Sequence, residues 1–240
     1  MIKRKQQQVS HPSDEAGFTI IESLVAILLI TILLAAIAPT IIIATATRVQ
    51  SKRVELATQA ARTFIDGVKT GAVTTPATTI TPNGTLGGNL LNTTNMPAPA
   101  TSTSQYLYCV TKDTNNNLAI LKDPDCTSNT NKIFYIQAAK IIVTGSTPAD
   151  STGIPKDGYR LGIRVYRSDI DFTNAKASNG TDKKTQNTFT GTLGDRQSPL
   201  VEMTTEIGSR NTSFNALCQR LAISEDTIDI TGNESNKTCN

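Results

Sequence analysis

Residues 18–47 read FTIIESLVAILLITILLAAIAPTIIIATAT, and Glu22 is the only charged residue among them. The segment Phe18–Ala38 alone would span about 31 Å as an α-helix, because each residue adds 1.5 Å. The hydrocarbon core of a bilayer is roughly 30 Å thick. The run is longer than the apolar region of a secretory signal, and no small-residue cleavage site followed by a polar mature start is evident after it. The sequence therefore predicts a membrane-spanning helix over residues 18–47.

The composition of the whole chain limits what else it can be. Of 240 residues, 38% are hydrophobic and 5% aromatic, without a tryptophan, and much of the apolar content lies in the N-terminal run. This leaves a modest core, which disfavours a large α/β enzyme. The 23 basic and 20 acidic side chains are too balanced for a dedicated nucleic-acid binder. We therefore predict no nucleic-acid partner.

The single histidine, His11, precedes the apolar run. If the first seventeen residues are removed, the mature chain has no imidazole, which excludes Ser-His-Asp and Cys-His catalysis and any His-ligated metal. We expect a protein that is not an enzyme, with no catalytic residue, no metal and no cofactor.

Glu22 needs a counter-charge. A carboxylate within the hydrocarbon region costs about 3 kcal/mol, and the apolar run contains no Lys or Arg. Cleavage after Gly17 would create an α-amine on Phe18, four residues before Glu22 and on the same helix face. That amine could meet Glu22 in the same chain or in a neighbour. The alternative is a carboxyl group that stays protonated or reaches the membrane interface.

The residues Gly17-Phe18-Thr19-Ile20-Ile21-Glu22, followed by the apolar run, resemble the class III leader of type IV pilins and type II secretion pseudopilins. In that family a membrane peptidase cuts after the glycine, and the new N-terminal residue is methylated. The resemblance implies cleavage between Gly17 and Phe18, N-methylation of Phe18, and an assembly role for Glu22, whose carboxylate would meet the N-terminal amine of an adjacent subunit. Pro39 stands where pilins commonly carry a helix-loosening proline.

The same resemblance implies the function and the partners. It indicates a minor pilin or pseudopilin, a structural subunit of a type IV pilus or of a type II secretion-like filament. The implied partners are other pilins contacted through the N-terminal helix, the prepilin peptidase and methyltransferase, an inner-membrane assembly platform and the bilayer. Helix features after the apolar run are similar to those of cyanobacterial minor pseudopilins, including those linked to hormogonium polysaccharide secretion and motility.

The chain is predicted to have an α+β, type IV pilin-like fold, in which one long N-terminal helix packs on a small C-terminal antiparallel β-sheet. Apolar residues at three- and four-residue steps predict that the helix continues amphipathically. Gly67 and Gly71 place its end near residue 70. Pro39 should bend or loosen the helix, or it marks the membrane boundary. The predicted segments are a leader (1–17), the transmembrane and assembly helix (18–47), the amphipathic continuation (48–70), an uncharged Thr/Asn/Gly/Pro-rich surface loop (71–104) and a β-rich exported domain (105–240).

Within the exported domain, residues rich in Tyr, Ile and Val predict short strands. Alternation is clearest from Tyr159 to Tyr166, where Tyr159, Leu161, Ile163 and Val165 share one face. A short helix is predicted over 213–221, and residues 171–198 are expected to be loop. The other predicted strands are Gln105–Thr111, Lys132–Ile136, Lys140–Thr144 and Leu200–Ile207.

The cysteines bear on topology. None of the four is in CxxC spacing, so zinc-ribbon and thioredoxin-like motifs are absent. An even number favours two disulfides on an exported domain, of which three connectivities are open. The simplest pairs close short loops, and buried free thiols are the alternative. Oxidised cysteines would place residues 70–240 in the periplasm or outside the cell and the N-terminus in the cytoplasm. The candidates are Cys109 with Cys126 and Cys218 with Cys239.

Charged residues of the later chain offer weaker sites. The carboxylate pairs Asp123/Asp125 and Asp169/Asp171 could bind calcium or serve an anchored hydrolase, but ordinary solvated turns are the favoured interpretation. Arg160 and Arg164 on the polar strand face could hold an acidic polysaccharide or a partner pilin, or form a solvated sheet face. A membrane-anchored glycan- or protein-binding module is the alternative function.

Overall fold

The computed structural model divides the chain into two compact units, Met1–Thr45 and Ala46–Asn240, and helix α1 (Ile20–Thr70) contributes residues to both. The leader, Phe18, Cys218, Cys239, Asp123, Asp125 and nearly all of the predicted helix 213–221 lie outside the described residues. The structure describes residues 19–80, 91, 93, 95–101, 107–115, 117–122, 126, 131–142, 158–179, 182–186, 194–209 and 212–214.

The described part of the first unit, residues 19–45, is helical from Ile20 onward. Thr19 caps the helix, because its Oγ1 accepts a hydrogen bond from the backbone N–H of Glu22 at 3.3 Å. The hydroxyls of Thr31 and Thr40 donate to carbonyls three residues back, at 2.8 and 2.7 Å. These bonds satisfy the hydroxyls within the helix itself, as an apolar surrounding requires.

Helix α1 is continuous through Pro39. Proline has no N–H and cannot donate to the carbonyl of Ala35, four residues back. The loss of this one bond does not end the helix, because the residues on both sides keep their helical conformation. Pro39 is therefore not a helix break in this structure, and the loosening expected there stays a prediction.

In the second unit, α1 presents one buried face and one polar face. It ends at Thr70, in agreement with the glycines of the sequence, since Gly71 takes a φ of 77° that other residues avoid. The chain after the helix is held to the sheet, because the Tyr108 hydroxyl donates to the Thr74 carbonyl at 2.9 Å. The buried residues of the helix are Gln50, Ala57, Ala60, Ala61, Phe64, Ile65 and Val68.

The sheet of the described residues has the order β3-β2-β4-β5-β6, and its neighbouring strands are antiparallel. A two-residue strand, β1, pairs in parallel with the end of β4, on the edge opposite β5. The α+β architecture expected from the sequence is confirmed. The strands are β1 (Thr79–Ile80), β2 (Leu107–Lys112), β3 (Leu118–Lys122), β4 (Lys132–Ile141), β5 (Tyr159–Arg167) and β6 (Val201–Ile207), and a 3₁₀ helix, η1, covers Phe172–Asn174.

One face of the sheet packs on the buried face of α1. Phe64 is fully buried and its ring meets the Tyr108 ring edge-on, with centroids 4.8 Å apart. The four alternating residues predicted to share a face of β5 all lie in this core. The helix contributes small alanines opposite the larger strand residues, so the two layers approach closely.

The opposite face of the sheet is also covered. Leu91 and Met96 pack there with Ile80 and Ile141, although residues 71–104 were expected to form a surface loop. Most described residues of this segment are exposed or half-buried, but its few large apolar residues are buried against the sheet. Residues 171–198 likewise contribute buried groups, among them Ser178 and Gln186.

Two strand predictions need correction. The strands expected to start at Lys132 and at Lys140 are joined in one strand, β4, because Gln137, Ala138 and Ala139 pair with β5 without interruption. This strand ends at Ile141, and residues 143–144 of the second prediction lie outside the described residues. Their weak β-propensity is overridden by a central position in the sheet. The edge strand β3 was not predicted, and its residues are all only half-buried.

Phe64→Ala should lower the free energy of unfolding by about 3–5 kcal/mol, because it removes a fully buried ring and leaves a cavity against Tyr108. Gln59→Ala, at an exposed position of the same helix, is the matched control and should change stability by less than about 0.5 kcal/mol. Urea unfolding of the detergent-solubilised chain, followed by near-ultraviolet circular dichroism, measures both. Equal effects of the two substitutions would contradict the described packing.

Candidate functional site

The first part of α1 exposes apolar side chains on every side. Ile20 is 85% exposed and Ile43, near the other end, 39%, and the most apolar window of the helix has a mean hydropathy of 2.8 with none of it buried. Contiguous apolar patches on soluble monomers rarely exceed a few hundred Å². By length and composition this helix can cross a membrane. This apolar surface is therefore suited to a surrounding of lipid or of other apolar helices.

Glu22 lies in the first turn of this exposed helix. The helix dipole favours an acidic residue there, and the backbone N–H of Glu22 is satisfied by the Thr19 cap. Its carboxylate forms no ion pair with any residue that the structure describes. The helix thus presents one acidic group and an apolar surface, and neither is matched within the described chain.

The comparison with protein families agrees with this arrangement. The model of the prokaryotic N-terminal methylation motif matches residues 12–38, which include Gly17, Phe18 and Glu22. The match supports the pilin and pseudopilin family. It implies processing by a prepilin peptidase and assembly with other pilins, and the long apolar helix fits a membrane-anchored protein that later joins a filament. No curated protein and no solved structure matches the chain.

The two arginines predicted on the polar face of β5 both pair with glutamates of the neighbouring strand. Arg164 is fully buried, and its Nε donates to Glu202 at 3.1 Å. Arg160 pairs with Glu206 at 2.6 Å and is largely covered. Both earlier interpretations of Arg164, a ligand-binding residue or a solvated face, are therefore wrong. Segments beyond the strands cover this face of the sheet and take the guanidinium away from water.

Arg164 holds a polar network under the covering segments. Its Nη1 donates to the Met96 carbonyl and approaches Gln137 Oε1 at 3.4 Å. Ser178 donates to the same Glu202 carboxylate at 3.0 Å. A buried charge must be paired and hydrogen-bonded to be tolerated. This network therefore fastens two irregular segments to the sheet.

The sequence contained a signal for these pairs that the strand pattern alone did not reveal. Arg160 and Arg164 are four residues apart, and so are Glu202 and Glu206 on the neighbouring strand. In the antiparallel register Arg160 faces Glu206, and Arg164 faces Glu202. Directly opposed opposite charges stabilise a strand pair. Equal spacing of opposite charges on two predicted strands would have indicated internal pairing.

The acidic pair that the structure describes belongs to turns. Asp169 is bound by Arg167 of the preceding strand, with Nη2 at 2.7 Å from a carboxylate oxygen. Asp171 caps η1, and hydrogen bonds from the Asn174 side chain and the Thr173 backbone lower the pKa of its carboxyl group. No group of three or more His, Cys, Asp or Glu residues able to hold a metal occurs among the described residues.

Cys109 and Cys126 form a disulfide, with Cα atoms 5.6 Å apart. The bridge lies in a cluster with Leu107, Tyr135 and Tyr166 on the sheet face opposite α1. Among the three connectivities that the sequence leaves open, this bond belongs to the one with the shortest loops.

Burial on this face also raises the pKa of the Tyr166 hydroxyl, which donates to the Lys176 carbonyl at 2.9 Å.

A buried glutamine pair was not anticipated from the sequence. Gln50 Nε2 donates to Gln186 Oε1 at 2.6 Å, and Gln186 Nε2 donates to the Ser198 carbonyl at 2.9 Å. Gly194 lies against both side chains, and a Cβ there would meet Gln186 Oε1 at 2.7 Å. The pair joins α1 to a loop 136 residues later, a separation over which a sequence pattern carries no signal.

Arg164→Met should lower the free energy of unfolding by about 3–5 kcal/mol, because it leaves Glu202 buried without its counter-charge. The double substitution Arg164→Met with Glu202→Leu should regain most of that loss, since both charges are then absent. Arg160→Met, at the more exposed pair, is the control and should cost about 1 kcal/mol. Denaturant unfolding of the four proteins gives the comparison. A double variant no more stable than Arg164→Met would contradict a dominant cost of the unpaired acid.

Proposed function

We propose that this chain is a minor pilin or pseudopilin, a structural rather than enzymatic subunit of a type IV pilus or of a type II secretion-like filament. The observation that carries the proposal is the coincidence of the methylation motif with a helix exposed on all sides. A bilayer provides the apolar surrounding of such a helix before assembly, and a bundle of like helices provides it afterwards. The filament replaces lipid contacts by helix–helix contacts, at little cost in apolar surface.

Glu22 gives the assembly its register in this proposal. Cleavage between Gly17 and Phe18 frees an α-amine, and methylation of Phe18 keeps it basic. A neighbouring subunit's amine then meets the Glu22 carboxylate, which otherwise costs about 3 kcal/mol in an apolar surrounding. A subunit displaced along the bundle loses this pairing, so the charge pair selects one axial position.

The proposed topology has the N-terminus in the cytoplasm before processing and the second unit in the periplasm or outside the cell. The Cys109–Cys126 disulfide supports it, because such bonds persist in oxidising compartments. We further propose that the filament supports polysaccharide secretion or gliding motility, on the strength of the narrower resemblance. Deleting the gene and assaying piliation, motility and secreted polysaccharide together tests that assignment.

Glu22→Ala should leave membrane insertion intact and reduce filament incorporation by roughly tenfold or more, the equivalent of at least 1.4 kcal/mol. Glu55→Ala removes an acid from an exposed position later in the same helix and is the matched control. Co-fractionation with sheared filaments measures incorporation, and alkaline membrane extraction measures insertion. Normal incorporation of Glu22→Ala would refute the register role.

A second candidate function is a permanently anchored binding module. A cavity of about 260 Å³ beside β4, lined by Pro97, Pro99 and Gln137 among others, favours it. The two functions differ at the N-terminus. The filament subunit should begin at a methylated Phe18, whereas the anchored module should retain Met1. Intact mass spectrometry of the membrane-extracted protein distinguishes them, and Gly17→Leu should abolish processing in the first case only.

A further inference from the structure

The polar face of α1 in the second unit begins with a basic group that the proposed filament contacts do not use. Arg48 and Lys52 are exposed and lie one helical turn apart on the same face, and Arg53 follows directly. The next acidic residue of the helix is Glu55, and the previous one is Glu22. This part of the helix therefore carries three positive charges and no negative one.

These side chains have no counter-charge in the described structure. None of the three takes part in an ion pair among the described residues. The Nη1 atom of Arg53 is shielded from solvent and has no hydrogen-bond partner there. By contrast, the arginines of the sheet, Arg160 and Arg164, are both paired internally. The exposed side chains of Arg48 and Lys52 are thus available for an anion outside the chain.

Its position along the helix matches the headgroup layer of a bilayer. The segment from Ile20 to Ile43 is about 36 Å long, which is enough to cross the roughly 30 Å hydrocarbon core. Arg48 follows Ile43 by five residues of the sequence and Lys52 by nine. Helical side chains lean toward the N-terminus, and long basic side chains extend their heads to the interface. Both heads can therefore reach lipid phosphates.

We propose that Arg48 and Lys52 bind the headgroups of anionic phospholipids while the chain is anchored in the membrane. The proposal rests on the anchored state that the proposed function requires. A lipid is the partner that the observations favour, because the basic group directly follows the apolar span and phosphates lie at that depth. Binding there holds the helix at one depth until the subunit leaves the bilayer.

The test uses the full chain in nanodiscs of equal phosphatidylglycerol and phosphatidylcholine. Native mass spectrometry after release counts the lipids retained on each protein. An attraction of the size typical for basic residues near an anionic surface predicts roughly fivefold enrichment of phosphatidylglycerol for each of the two exposed residues. The enrichment should fall as salt is raised, because exposed charges are screened.

The variant Arg48→Gln/Lys52→Gln should reduce the enrichment at least fivefold. The matched control is Arg62→Gln/Lys69→Gln, which removes one arginine and one lysine from exposed positions later on the same helix and should keep the enrichment. Equal retention of the two lipids by the unchanged protein, or an equal loss in the control, would overturn the proposal. Flotation of the same proteins with vesicles tests anchoring separately. A chain that floats but shows no lipid preference contradicts only the headgroup site, whereas a chain that does not float contradicts the anchored state as well.

Discussion

The first part of α1 is apolar on every side and carries one carboxylate, and the described chain provides neither cover for the apolar surface nor a counter-charge for the acid. The apolar surface demands lipid or other helices, and the acid at its first turn demands a positive group. A bilayer answers only the first demand. In the proposed filament, a bundle of processed subunits would provide both, since each subunit would bring an apolar helix and an α-amine.

In the second unit, by contrast, most of the apolar surface and several charges are matched within the chain. Its sheet is covered on both faces, by α1 on one side and by irregular segments on the other. Its arginines Arg160 and Arg164 are paired with Glu206 and Glu202, and the disulfide joins β2 to Cys126, which follows the edge strand β3. At the start of the helix's polar face, Arg48 and Lys52 are exposed and form no ion pair with any residue that the structure describes.

Much of the fold followed from patterns of local character. The three- and four-residue apolar repeat and Gly71 predicted where α1 continues and ends, and strict alternation predicted β5. Prediction failed where distant contacts decide. Leu91 and Met96 lie in a polar stretch of sequence, and they are buried because they pack against apolar residues on the sheet face opposite α1. The alanines of β4 are held in a strand only by pairing with β5.

The candidate site divides in the same way. The exposed helix and Glu22 were recognisable from the sequence by itself, because length, hydropathy and the position of one charge are properties of a continuous segment. The burial of Arg164 could not be recognised in this way. Whether a charged strand residue faces water or a counter-charge depends on which segments fold over it. The sequence alone thus determined the anchor and its acid. Only the tertiary structure decided which of the remaining charges stay available, since burial and pairing arise from segments far apart along the chain.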